Sequence, residues 1–247
     1  MGEMQGKIVL ITGAGSGIGR ALSLELTRLG AHVLAMGRKI EMLKQLDSDA
    51  SAACGEDRVT PVPCDLCDMS QIDRVAQSIQ VWPGRLDVLI HNAGEISFAG
   101  IDSIEVEDAD RLWKTHVTGP MRLTQKLVGL LRESKGQIVF VNSSAAVSAR
   151  PDFMAYSMTK AAAWSLADSL RETLATDGVR VTTYLLGRVD TPMQRLLLEH
   201  EHETPERKEL MSPESVATSI ASGLLLPRPA ELTDVYLRQA RGTTKAQ

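Results

Sequence analysis

The 247-residue chain is 43% hydrophobic and 23% charged, ordinary values for a globular protein with a sizeable core. A net charge of -4 gives no hint of a nucleic-acid footprint, and no apolar run approaches the roughly 20 residues that span a bilayer. Three cysteines, Cys54, Cys64 and Cys67, are too few for a disulfide scaffold, and no second Cys pair or close His pair completes a metal site around Cys64-x-x-Cys67. The first predicted element is a strand, KIVLIT at 7–12, which runs directly into glycines and so does not read as a signal peptide. A helix follows from Gly17 to Gly30, with Ile18, Leu22, Leu26 and Leu29 on one face. The second strand is HVLAM at 32–36, and a polar helix carrying Leu43 and Leu46 comes next. Strands are expected at 58–65, 86–94, 136–144 and 179–187, and a last short one at 234–238. Helices are expected at 70–80, as one long stretch at 104–132, at 154–175, and from Ser212, where SPES places Glu214 in the first turn.

Strand–helix alternation with continuous Val/Ile/Leu strands calls for a parallel sheet covered on both faces. No Pro/Gly/Ser linker divides the chain and no internal repeat is visible. The expectation is α/β: a single-domain, Rossmann-like, doubly wound parallel sheet in three layers, α/β/α, spanning 1–247. Its core runs from about 5 to 238, with a substrate lid at 188–210 and a frayed tail at 241–247. A cytoplasmic location is the default for such a chain.

The first strand ends in Thr12-Gly13-Ala14-Gly15-Ser16-Gly17-Ile18-Gly19. Glycines permit positive φ and close backbone approach, and the helix that follows offers unpaired N–H groups and the positive end of its dipole. A glycine turn between first strand and first helix is therefore a pyrophosphate cradle, with Gly13, Ser16, Gly17, Ile18 and Gly19 around it. The second strand ends in Met36-Gly37-Arg38-Lys39, without the acid that would bond the ribose of NAD. A guanidinium grips a 2′-phosphate through paired hydrogen bonds, so Arg38 points to NADP preference. The competing reading is a solvated loop arginine.

Six short segments together resemble the short-chain dehydrogenase/reductase (SDR) family, in its single-domain branch of roughly 250 residues. They are TGAGSGIG at 12–19, CDL at 64–66, HNAG at 91–94, VNSSAA at 141–146, YSMTK at 156–160 and LGRVDTPM at 186–193. The likeness runs from Gln5 to about Arg238. It implies a nicotinamide-dependent oxidoreductase with a Ser-Tyr-Lys site. It implies that Asp65 and Leu66 contact the adenine. Asn92, Ala93 and Gly94 would line the cofactor and steady the central strand, and Val189 and Thr191 would hold the nicotinamide carboxamide. A homodimer or homotetramer through the two long helices is implied as well, and no metal.

Tyr156 and Lys160 stand at i and i+4 and share one helix face. A cation about 4 Å away is worth up to about 4 kcal/mol at an effective dielectric near 20, enough to bring a tyrosine down from about 10 toward 7 if desolvation does not cancel it. Lys160 can also bond the nicotinamide ribose hydroxyls. Ser143, at the end of the fifth strand, is placed to bond a substrate oxygen, with Ser144 as its competitor. Two residues depart from the family pattern. His116 replaces an Asn to which the resemblance assigns a relay water near the lysine. Pro120 has no N–H for the carbonyl four residues back, so the His116 backbone can hold such a water whatever the side chain does. The imidazole either adds a group titrating near pH 6.5 or is a packed neutral histidine at a kink. Leu186 replaces a Pro and adds apolar surface beside the nicotinamide. With Ile96, Phe98, Val147, Phe153, Met154 and Met193 it sketches an apolar pocket, unless these residues pack the core. In the charged segment 199–209, His200 and His202 read as solvated, and Arg150 as a surface residue or a contact for an acidic substrate group.

The chain thus reads as an NADP(H)-preferring oxidoreductase, with NAD(H) possible. It would interconvert a carbonyl and an alcohol on a small, lipophilic substrate, with Tyr156 as general acid/base. The alternative is a non-catalytic dinucleotide-binding sensor on the same fold. An epimerase or dehydratase relative would carry a separate substrate lobe and GxxGxxG glycines, and neither is present.

Overall fold

A computed structural model describes residues 3–204 and 210–240. Positions 205–209 of the charged segment and the tail 241–247 lie outside the described residues, as do positions 1–2. The strands are β1 (Ile8–Thr12), β2 (His32–Gly37), β3 (Val59–Pro63), β4 (Val88–His91), β5 (Gln137–Ser143), β6 (Arg180–Leu186) and β7 (Asp234–Leu237). The helices are α1 (Gly17–Arg28), α2 (Ile40–Cys54), α3 (Met69–Val81), α4 (Val106–Trp113), α5 (Gly119–Ser134), α6 (Met154–Leu174), α7 (Pro192–His200) and α8 (Pro213–Leu224).

The seven strands pair in parallel in the order β3-β2-β1-β4-β5-β6-β7, the Rossmann-like doubly wound sheet expected. Alternation within each strand splits its side chains between two cores. Val9, Ile11, Val33, Ile90 and Val141 face α1 and α8, whereas Leu10, Leu34, Leu89, Ile138 and Phe140 face α3, α5 and α6. Doubly buried strands are why the apolar runs are continuous in the sequence. Strand order reverses between β1 and β4, and ligands of open α/β sheets bind in the crevice at that point. Among the described residues no helix is long and apolar enough to cross a membrane.

The expected helix at 104–132 is not continuous. A π-helical turn (Lys114–Thr118) separates α4 from α5, with the Gly119 N–H bonded back to the Lys114 carbonyl. Gly119 sits where a Cβ would stand 2.6 Å from the Leu66 carbonyl oxygen and 2.8 Å from that of Lys114. The helix is therefore deformed where the loop after β3 presses on it, and only glycine fits the contact.

Candidate active site

The first turn is shaped by close approach. Gly13 has φ +68°, and a Cβ on it would lie 2.8 Å from the Ala93 Cα; one on Gly17, at φ +51°, would lie 3.1 Å from the Thr191 Cγ2. Residues 93 and 191 thus flank the glycine turn. Ser16 caps α1 without a side-chain bond to the N–H groups of its first turn, and no acid lies in that turn. These donors are positioned for a pyrophosphate, and the helix dipole favours its charge. Asn92 locks the turn to β4: its Nδ2 donates to the carbonyls of Thr12 (3.0 Å) and Gly13 (3.2 Å), while the Asn92 and Ala93 N–H groups donate to the Thr12 hydroxyl at 3.0 Å each. Ile18 packs against the core on the α1 face.

Arg38 is exposed just beyond β2. Asp65 accepts the Cys67 N–H at 2.9 Å, and Leu66 is buried in the core with its carbonyl against Gly119. Val189 pairs with Met211 in an isolated bridge, and Thr191 caps α7 by accepting the Gln194 N–H. Burial pushes the Cys64 thiol up to about 12, so it is inert.

Ser143, Tyr156 and Lys160 meet where β5 ends. Ser143 is close enough to the Tyr156 phenol to favour its ionised form, and it accepts the Ala145 N–H at 3.1 Å, while Ser144 is exposed at the start of the next turn. Asn142 holds α6 to the strand: its Nδ2 donates to the Lys160 carbonyl at 3.0 Å, and its Oδ1 accepts the Ser143 N–H at 2.8 Å. The Lys160 Nζ lies 5.6 Å from the centre of the Tyr156 ring, donates to the Val141 carbonyl at 3.4 Å, and reaches Gly94, where a Cβ would be 3.7 Å from it.

Charge in this site departs from the sequence expectation. Burial raises the Tyr156 pKa, only partly opposed by Ser143, and burial lowers Lys160 to about 8. Desolvation is the leading cause of both shifts. At neutral pH the phenol keeps its proton and is an acid, not a poised base.

Of the two readings of His116, the surroundings favour the packed neutral histidine. Burial, followed by the Lys160 charge, drives the imidazole pKa well below 6.5. Its Nε2 accepts the Glu95 N–H at 3.2 Å, so the proton belongs on Nδ1, which donates to the Thr159 hydroxyl at 2.8 Å. Thr159 in turn donates to the Tyr156 carbonyl at 2.9 Å. His116 is therefore a neutral brace between the loop after β4 and helix α6. Asn142, Thr159 and the Glu95 backbone were not singled out from sequence. Asn142 and Thr159 lie inside the VNSS and YSMTK segments, where position alone does not show what each side chain holds.

The apolar wall beside Tyr156 also differs in part. Phe153 and Ala145 are buried with Tyr156, and Ile96, Phe98 and Leu197 pack on them. Leu186 instead faces the α1–α8 core, because its place at the end of β6 turns it to that side, and Val147 is exposed. His200 stacks on Phe98 at 4.6 Å while staying exposed, and His202 is exposed too, as expected of solvated histidines. Arg188 grips Glu201 through two bonds of 2.7 and 2.6 Å, and Arg150 approaches the same carboxylate at 3.6 Å. The described part of the segment after β6 is thus tied down over the site.

The short chain dehydrogenase family model matches residues 7–202, and the chain belongs to this family of oxidoreductases. It is 31% identical over 240 residues to an uncharacterised oxidoreductase of Staphylococcus haemolyticus, covering 96% of this chain and 99% of that protein. Its structure is similar to that of L-sorbose reductase from Gluconobacter frateurii complexed with NADPH and L-sorbose (TM-score 0.82, 26% identity, 94% of this chain and 95% of that one). It is also similar to 3-ketoacyl-(acyl-carrier-protein) reductase from Brucella melitensis complexed with NADH (TM-score 0.83, 26% identity, 95% and 97%). Both of these solved structures hold a nicotinamide dinucleotide, and the glycine cradle of this chain fits one.

Proposed function

We propose that the chain is an NADP(H)-preferring reductase or dehydrogenase that interconverts a carbonyl and an alcohol on a small, lipophilic substrate. The observation that carries this reading is the meeting of Ser143, Tyr156 and Lys160 at the end of β5, beside Gly94 and the glycine cradle. Gly13, Ser16, Gly17, Ile18 and Gly19 would hold the pyrophosphate, Asn92, Ala93 and Gly94 would line the cofactor, and Asp65 and Leu66 would border the adenine. Val189 and Thr191 would border the nicotinamide. Once bound, the dinucleotide supplies or takes up the hydride.

In reduction, Tyr156 gives its phenolic proton to the substrate oxygen, and Ser143 donates a hydrogen bond to the charge developing there. Lys160 steadies the phenolate left behind. In oxidation Tyr156 must first lose its proton, and its raised pKa makes that direction favour alkaline solution. Ile96, Phe98, Leu197 and Met193 offer few hydrogen bonds to a polyol, which favours a substrate with an alkyl or aryl face. The segment 188–210 serves as the lid, and the protein assembles as a dimer or tetramer. The absence of an acid at the end of β2, with Arg38 exposed just beyond it, supports NADP(H).

The test is thermal melting with NADPH and with NADH at equal concentration, on the native chain and on Tyr156→Phe. A ligand at a hundred times its Kd stabilises by about 2.7 kcal/mol. The larger shift is expected with NADPH, and Tyr156→Phe should keep that shift while losing turnover of a panel of lipophilic aldehydes and ketones. A larger shift with NADH removes the Arg38 assignment, and full turnover by Tyr156→Phe removes the proton donor.

A further inference from the structure

His91, the last residue of β4, is buried at 4% exposure. Its Nε2 lies 2.8 Å from the Thr124 hydroxyl on α5, whereas its Nδ1 has no hydrogen-bond partner among the described residues. A buried ring nitrogen left in that condition is costly, and proteins commonly relieve it with an internal water.

The ring lines a cavity of about 10 Å³, shared with His116, Pro120, Val141, Asn142 and Lys160. That volume suits about one water and is too small for a substrate or a dinucleotide. Residues with polar groups, His91, His116, Asn142 and Lys160, are part of its lining. The Lys160 amine has three donors and one long bond, 3.4 Å, to the Val141 carbonyl. The His116 carbonyl cannot receive the N–H that Pro120 lacks.

We propose that one buried water occupies this cavity, accepting from the Lys160 amine and donating to His91 Nδ1, and that His91 is thereby a positioning residue for the lysine. The proposal rests on the Tyr156–Lys160 reading above. It goes beyond a water held at the residue-116 backbone, because it assigns a second anchor on β4. The hydrogen-bond roles are consistent: Nε2–H donates to Thr124, which leaves Nδ1 as the acceptor. Burial pushes the His91 pKa down to about 3, so the ring stays neutral and anchors the water without taking its proton.

The groups facing Lys160 are Tyr156 on its own helix, His116 from the π turn and His91 from β4, and burial alone sets its lowered pKa. A water on the amine offsets part of that burial. Removing its anchor should therefore lower the Lys160 pKa further, by about one unit.

The experiment pairs a high-resolution crystal structure of the native protein with titration of the lysine side chains by ¹³C NMR. The variants are His91→Phe, which keeps a ring but no nitrogen, and His91→Asn, which keeps a polar atom near Nδ1. Expected are an ordered water within hydrogen-bond distance of both His91 Nδ1 and Lys160 Nζ, a lowered Lys160 pKa in His91→Phe, and near-native titration in His91→Asn. A dry cavity, or an unmoved Lys160 in a folded His91→Phe, overturns the proposal. If His91→Phe does not fold, the density in the native cavity decides alone. Neither readout needs turnover, so failure here is separable from failure of the proposed reaction.

Discussion

Lys160 is held in a place that costs the fold stability. Burial lowers its pKa from 10.5 to about 8, and at about 1.4 kcal/mol per unit the charged form carries a penalty of at most roughly 3 kcal/mol. Below pH 8 both folded and unfolded chains hold the proton, and the penalty is present in full. Between 8 and 10.5 the unfolded chain alone keeps it, so this group's contribution to stability improves as pH rises. Lys160→Met should therefore melt higher than the native protein at pH 7, by about 1–2 kcal/mol after the lost Val141 contact is counted, while turnover falls away. The advantage should shrink in melts at pH 10, and a variant destabilised at pH 7 contradicts the argument. The Tyr156–Lys160 spacing and the strand-end serine were legible in the sequence, because helix periodicity and strand ends are local. The direction of the Tyr156 shift was not, and the choice between a titrating and a neutral His116 was left open. Both depend on how much water the assembled layers exclude, and on a Glu95 N–H and a Thr159 hydroxyl that other elements deliver.

Apart from α7, which was read only as part of the 188–210 lid, strands and helices were legible to within a few residues because each strand is a continuous apolar run and each helix carries its own apolar face. The break between α4 and α5 was not, because its cause is the Leu66 carbonyl pressing on Gly119 from a distant loop. Asp87 is a comparable long-range tie that periodicity does not reveal. It sits just before β4, and its backbone bonds Ile8 on one side and Gln137 on the other. Its buried carboxylate accepts the Ile8 N–H at 3.0 Å, Lys7 at 3.0 Å and Arg85 at 2.8 and 2.7 Å. Burial alone would raise its pKa, but the Arg85, Ile8 and Lys7 hydrogen bonds outweigh it and hold the group below 3.8. Because Lys7 and Arg85 are about half exposed, much of their attraction is screened, and the Ile8 bond is the larger loss on substitution. Asp87→Asn should cost about 2 kcal/mol in urea unfolding at pH 7. A depressed carboxylate contributes stability above its unfolded pKa and loses it as pH falls through the folded one. The gap between native and variant should therefore narrow below pH 4, and a gap that stays constant into acid would show that the charge is not its source.

At the scale of the molecule, the reversal of strand order between β1 and β4 gathers the glycine turn, Asn92 and the ends of β4 and β5 into one crevice. The same architecture leaves apolar side chains on its outer helices. Val106 and Trp113 on α4, Met121 on α5 and Met158 on α6 are all exposed. Exposed apolar residues on adjoining helices mark a surface that gains by being covered. The charge of -4 is small enough for two copies to approach at physiological salt. A dimer through α4, α5 and α6 follows from the proposed assembly, and light scattering after size exclusion should give at least twice the 26.8 kDa of one chain. Trp113→Glu combined with Met121→Glu puts two like charges on each copy and should shift the mass toward 26.8 kDa without abolishing NADPH binding. A native protein that runs as a monomer at micromolar concentration removes the interface. An assembly that survives both substitutions moves it to another face of the molecule.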